Sequence, residues 1–180
     1  MTTYFKKITN LSLPSINPDS IKGELLFHYG HSRYFSISDK SYHDAIANAF
    51  QTPPKEIFLA EAIGPLRPHR DNGVTSCLNY YLRPSGYTTT FWEPIENARR
   101  LGTKKYDKKT DSYKDVLLGY EKADLILQDS FTAEAGDVYL LNISKVHSVT
   151  NGSTEEVRSF IQCQWHCDMD KLLQMIVPEL

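Results

Sequence analysis

The chain predicts a mainly β, single-domain protein, and three observations carry that expectation. Residues with β-branched and aromatic side chains cluster in short runs at 75–82, 88–92, 138–142 and 157–165. Turn-forming sequences separate them: Asn72-Gly73, Ala135-Gly136-Asp137 and Asn151-Gly152-Ser153. Length and composition agree, since 180 residues that are 41% hydrophobic make one domain with a real core.

The elements follow in order. Leu13-Pro14 and Asn17-Pro18 punctuate loops ahead of the segment 23–29. Residues 42–50 have helical spacing, with Ala45, Ile46 and Ala49 on one side and Asp44 in the first turn. Pro53-Pro54 ends that helix, and 56–62 reads as a strand. This N-terminal third is expected to buttress one sheet. Ile63-Gly64-Pro65-Leu66-Arg67-Pro68 then leads into His69, proline being suited to the start of an edge strand. After the strand at 88–92, the composition shifts. Residues 93–124 carry Arg99, Arg100, Lys104, Lys105, Lys108, Lys109, Lys114 and Lys122, interleaved with Tyr106, Tyr113 and Tyr120. A basic, aromatic lid over an acidic peptide or nucleic-acid strand is one reading. A solvated hairpin or loop is the preferred one. A short helix is expected after Asp168.

Charge and composition exclude several classes. A net charge of -2 argues against general affinity for nucleic acid or acidic membranes. No apolar run approaches the roughly 20 residues needed to span a bilayer, and Met1-Thr2-Thr3-Tyr4 opens no signal peptide, so a cytoplasmic protein is expected. Three cysteines fit a reducing compartment better than a disulfide framework.

The chemistry lies in His69-Arg70-Asp71, His147 and Arg158. Side chains at i and i+2 of an extended segment point the same way, so His69 and Asp71 can grip one ion while Arg70 faces elsewhere. With His147 they form the two-histidine, one-carboxylate set that binds Fe(II) on one face and leaves positions for a co-substrate and O₂. Arg158 follows His147 by a strand, a turn and a return strand. Its planar fork suits a buried carboxylate, although pairing with Glu155 or Glu156 is the simpler alternative. Asn79 and Tyr81 share one face of their strand and could reach co-substrate or substrate. Trp92 reads as core or pocket wall. A second His-x-Asp, His166-Cys167-Asp168, has no histidine downstream. Cys163, His166 and Cys167 lack a fourth ligand and read as packing residues. His-Arg-Asp is also a kinase triplet, but position 76 is serine where a kinase needs asparagine, and no glycine-rich loop is present.

Two longer phrases extend these residues: P-H-R-D…C-L-N-Y-Y-L…T-x-F-W, and G-D-V-Y-L-L-N-x-x-x-x-H-S-V-x-N…R. Together, over about 61–165, they resemble the 2-oxoglutarate/Fe(II)-dependent dioxygenase superfamily, in particular bacterial and phage members related to the aspartyl/asparaginyl and prolyl hydroxylases. The resemblance implies a double-stranded β-helix, or jelly-roll, over about 56–166, with a flanking N-terminal helix and a short C-terminal helix. It implies Fe(II) on His69, Asp71 and His147, and 2-oxoglutarate held through its C5 carboxylate by Arg158, with Asn79 and Tyr81 nearby. O₂ would then convert 2-oxoglutarate to succinate and CO₂ while a substrate C–H is hydroxylated. A peptide side chain is the substrate the resemblance favours; a small metabolite or a nucleobase stands behind it. The competing class is a non-oxidative, cupin-like jelly-roll. Cupins commonly add histidine or glutamate ligands to their first motif, and none follows Asp71 before Glu93.

Overall fold

A computed structural model describes residues 3–176 apart from 12, 30, 72–74, 108–109, 151 and 153–154. The chain is mainly β, as its composition of short branched and aromatic runs predicts. The order is β1 (Phe5–Lys7), α1 (Pro18–Ile21), β2 (Lys22–Tyr29), β3 (Ser32–Ile37), α2 (Lys40–Asn48), β4 (Glu56–Ala62), β5 (Leu66–His69) and β6 (Ser76–Arg83). There follow β7 (Thr88–Pro94), β8 (Arg100–Asp107), β9 (Ser112–Tyr120), a 3-10 turn at Lys122–Asp124, β10 (Leu125–Thr132), β11 (Val138–Leu141), β12 (Val146–Thr150), β13 (Arg158–Trp165) and α3 (Met169–Ile176).

Antiparallel pairing runs β1-β11-β6-β13-β4-β3-β2-β8-β9-β5-β12-β7-β10. Among the described residues two links in that series are single residue pairs, Tyr29↔Lys105 and His69↔Gly119. The strands therefore divide into a larger sheet, β1-β11-β6-β13-β4-β3-β2, and a smaller one, β5-β12-β7-β10, bridged by the β8–β9 hairpin. This hairpin is what the basic segment forms. Lys108 and Lys109 lie outside the described residues, as do Asn72, Gly73, Asn151 and Ser153 of the expected turns.

Alternation along the strands of the larger sheet sends each residue to one of two buried faces. Leu59, Leu78, Leu140, Ile161 and Trp165 pack outward under Ile46 of α2 and Met169 and Leu172 of α3. Ala60, Cys77, Tyr81, Tyr139 and Phe160 face inward, against Phe91 and Phe131 of the smaller sheet. Every residue of β13 is buried, yet its sequence still alternates: Ile161, Cys163 and Trp165 enter the outer core, while Arg158, Phe160 and Gln162 face the inner side. The helices buttress one sheet, as expected. α2 starts two residues before the predicted 42, because the Asp39 side chain accepts from the Tyr42 N–H at 3.1 Å and caps it. Phe50, beyond the helix, packs edge-on against Trp165 with ring centroids 5.0 Å apart.

Trp92 belongs to neither inner face. It packs with Tyr120 and Val146 on the outside of the smaller sheet, and its Nε1–H donates to Ser148 Oγ at 2.8 Å. It is core, as one of the two readings held.

Candidate metal centre

His69 and His147 sit directly opposite each other, on β5 and β12. A cross-strand pair on one face brings side chains together, and the two imidazole centroids are 4.5 Å apart. Asp71 lies just beyond the end of β5. Its backbone N–H donates to Ile143 O at 3.3 Å, which ties it to the β11–β12 connection. Its carboxylate reaches to 3.4 Å from His69 Nε2. One ligand atom from each of His69, Asp71 and His147 lies within 4.8 Å of the others, and among the described residues this is the group that could hold a metal ion.

Each imidazole is oriented by the backbone. His69 Nδ1 lies 2.7 Å from Arg67 O, and His147 Nδ1 lies 3.0 Å from Lys145 O. A carbonyl accepts only from N–H, so Nδ1 carries the proton in both rings and the neutral tautomer leaves the Nε2 lone pair for a ligand. This is the outer-shell arrangement that orients metal-binding histidines.

The two rings respond differently to the site. Burial works against charge on His69, but the hydrogen bond and charge of Asp71 outweigh it and raise its pKa. His147 is pulled down to about 4, first by burial and then by its neighbour His69. The same pocket thus favours charge on His69 and disfavours it on His147.

All three residues line a small cavity of about 40 Å³ between the two sheets. Arg158 lines the same cavity and is only 5% exposed. Its Nε is buried without a hydrogen-bond partner, and among the described residues no ion pair includes Arg158. Its contacts are instead aromatic, with Phe160 and Tyr87 ring centroids 5.0 and 5.5 Å from the guanidinium carbon. Burial lowers its pKa. Glu155 and Glu156, the simpler partners, are exposed. A cation kept dry without a counter-charge is costly and calls for an anion, such as a ligand carboxylate.

Asn79 and Tyr81 also line the cavity, from the inward face of β6. Asn79 Oδ1 accepts from Gln162 Nε2 at 3.3 Å. Burial raises the Tyr81 pKa, against the nearby charge of Arg158 and the side chains of Asn79 and Thr89. Gln162 and Thr89 were not foreseen as lining residues. Gln162 was within reach, because it stands four positions after Arg158 on one strand and so shares its face. Ser32 and Tyr34 of β3 carry no local signal that could have found them.

The second His-x-Asp does something else. Asp168 Oδ1 accepts from the Lys171 N–H at 2.9 Å, and Asp168 O accepts from the Leu172 N–H at 2.9 Å, so Asp168 caps α3. His166 is exposed and Cys163 is buried, consistent with packing in place of a soft-metal site.

No family model matches this chain, and no curated protein is similar to it. Among solved structures it is similar to AviO1 from Streptomyces viridochromogenes Tue57, at 15% identity and a TM-score of 0.34. The alignment covers 72% of this chain and 58% of that one, little more than half its length. So loose a likeness carries no weight for fold or function. Among the described residues no helix is long and apolar enough to cross a membrane.

Proposed function

We propose that this chain is an Fe(II)- and 2-oxoglutarate-dependent oxygenase of jelly-roll fold that hydroxylates a substrate C–H bond. The observation that carries the reading is the meeting, in one buried cavity, of a His-Asp-His cluster and an arginine that has no counter-charge among the described residues. Strand order supports the fold. From β4 onward, leaving out the β8–β9 hairpin, the chain crosses between sheets at every step but one, with β4, β6, β11 and β13 in the larger and β5, β7, β10 and β12 in the smaller; the exception is β7 to β10, which pair within the smaller sheet. That distribution is what two antiparallel Greek keys produce in a jelly-roll.

The donor set fits iron. His69 and His147 offer Nε2 with Nδ1 already engaged, and Asp71 adds a carboxylate on the same side. Bound iron and 2-oxoglutarate would supply the activation of O₂, with 2-oxoglutarate oxidised to succinate and CO₂. The protein supplies ligation, orientation and exclusion of water. Arg158 would take the C5 carboxylate in a two-point contact, ending the isolation of its charge. Tyr81 and Asn79 would flank the co-substrate from β6. Phe91, whose ring lies 5.9 Å from that of His147, and Phe160 wall the site with carbon and keep water out. The resemblance adds a peptide side chain as the substrate class.

Anaerobic addition of Fe(II) and then 2-oxoglutarate tests the reading. A visible charge-transfer band, followed by succinate release in air, is the expected result. Fe(II) binding with neither band nor succinate would favour a cupin-like metal protein instead.

A further inference from the structure

We infer that Tyr87 is a positioning residue for Arg158, and so for the carboxylate-binding end of the cavity; this rests on the oxygenase reading. Tyr87 does not line the cavity, and nothing in its local sequence marks it. Its importance lies in what converges on it. The connection between β6 and β7 turns through Ser85 and Gly86, both with positive φ (54° and 68°), and delivers Tyr87 to a buried position, 4% exposed. The Gly64 N–H, in the β4–β5 connection, donates to the Tyr87 hydroxyl at 2.9 Å. Gly152, in the β12–β13 connection, lies against the flat of the ring. A methyl group there would come within 2.3 Å of Tyr87 Cγ. Ser85 Oγ donates to the carbonyl of Val157, the residue before Arg158, at 3.4 Å.

Three of the crossings between the sheets are thus fastened to one ring, and the Arg158 guanidinium lies 5.5 Å from its centroid. The physical advantage is specific. Contact with an aromatic ring offsets part of the cost of burying the cation, yet it uses none of the N–H donors. A carboxylate, hydroxyl or amide in the same place would hold the guanidinium but consume part of the fork. Tyr87 steadies Arg158 and leaves it available.

The experiment compares Tyr87→Leu, Tyr87→Phe and Gly152→Ala with the unaltered protein. Tyr87→Leu should weaken 2-oxoglutarate binding at least about tenfold, with Fe(II) affinity unchanged and turnover recovered at high 2-oxoglutarate. Tyr87→Phe keeps the ring and should restore most of the affinity. Gly152→Ala drives the ring off its seat and should behave like Tyr87→Leu, which provides a second route if the leucine variant fails to fold. A separate readout needs neither iron nor co-substrate: the Arg158 Nε–H resonance, assigned by its loss in Arg158→Lys. It should be single and slow to exchange in the unaltered protein, but broadened in Tyr87→Leu and Gly152→Ala. If 2-oxoglutarate does not bind the unaltered protein, the oxygenase reading falls while the resonance still judges the role of Tyr87. Normal 2-oxoglutarate affinity and an unaltered resonance in a folded Tyr87→Leu or Gly152→Ala protein would overturn the inference.

Discussion

His69-Arg70-Asp71 and His166-Cys167-Asp168 share a pattern and share nothing else. The first ends a strand of the smaller sheet, opposite His147, and turns both its acid and its imidazole into a buried cavity. The second follows the last strand of the larger sheet, where its histidine is exposed and its aspartate starts a helix. A carboxylate accepts hydrogen bonds from whatever donors surround it. Beside two imidazoles it becomes a candidate ligand; beside free N–H groups of a helix it becomes a cap. The difference between the two is set by what lies across the sheet, and the tripeptides themselves do not contain it.

Substitution can sharpen this contrast. The largest effect is expected at the first tripeptide. His69→Ala, Asp71→Ala or His147→Ala should each weaken Fe(II) binding by more than the roughly 10–100-fold that loss of an outer hydrogen-bond partner costs. Succinate formation should stop while circular dichroism stays close to normal. Full activity in any one of the three removes that residue from the ligand set.

Arg158 comes next. On the oxygenase reading, Arg158→Ala should raise the 2-oxoglutarate requirement by about tenfold or more with Fe(II) affinity kept, and Arg158→Lys should rescue it only in part. Stability should move in the opposite sense. Arg158→Met removes a buried charge that has no ion-pair partner among the described residues, so the metal-free protein should gain about 1 kcal/mol or more in denaturant unfolding. A loss of stability in Arg158→Met would mean that the cation has a partner in the resting protein.

The pH dependence of the metal-free protein is a smaller effect. The folded pKa of His147, about 4, lies below its ordinary 6.5, so only the unfolded chain takes up a proton between those values. Stability therefore falls as pH drops from 6.5 towards 4. The His69 pKa is raised, so its contribution is present below 6.5 and is lost as pH rises through the folded value. A maximum near pH 6.5 follows from this pair. Asp71→Asn should abolish the alkaline limb and keep the acid one, as thermal unfolding across pH would reveal.

The smallest effect belongs to the second tripeptide. Asp168→Ala should cost about 1 kcal/mol through loss of the cap, with no change in Fe(II) binding. Altered metal affinity in that variant would mean that the wrong His-x-Asp had been identified as the site.

Much of this was legible in the chain. Strand β4 matches its predicted bounds, and β6, β7, β11 and β13 each fall within a residue or two of theirs, because branched and aromatic runs bounded by turn residues admit few alternatives. The His-Asp-His set was legible because period-two alternation fixes that His69 and Asp71 share a face. β1, β3 and β10 were not. In β10, Ile126 and Leu127 are 55% and 60% exposed, and a register shift between Leu127 and Asp129 breaks the alternation that would mark a strand. Such an edge follows no inside-outside rule that a sequence could display.

By itself, then, the sequence determined the mainly β class, most of the inner strands, and which residues could act as ligands. These are local properties, written in periodicity and in side-chain chemistry. Only the tertiary structure decided which His-x-Asp meets a second histidine, that Arg158 is buried with no counter-charge among the described residues, and that Tyr87, Gly64 and Gly152 close around it. Each of these depends on contacts between strands far apart in the chain, and such contacts leave no mark on the neighbours in sequence of the residues that make them.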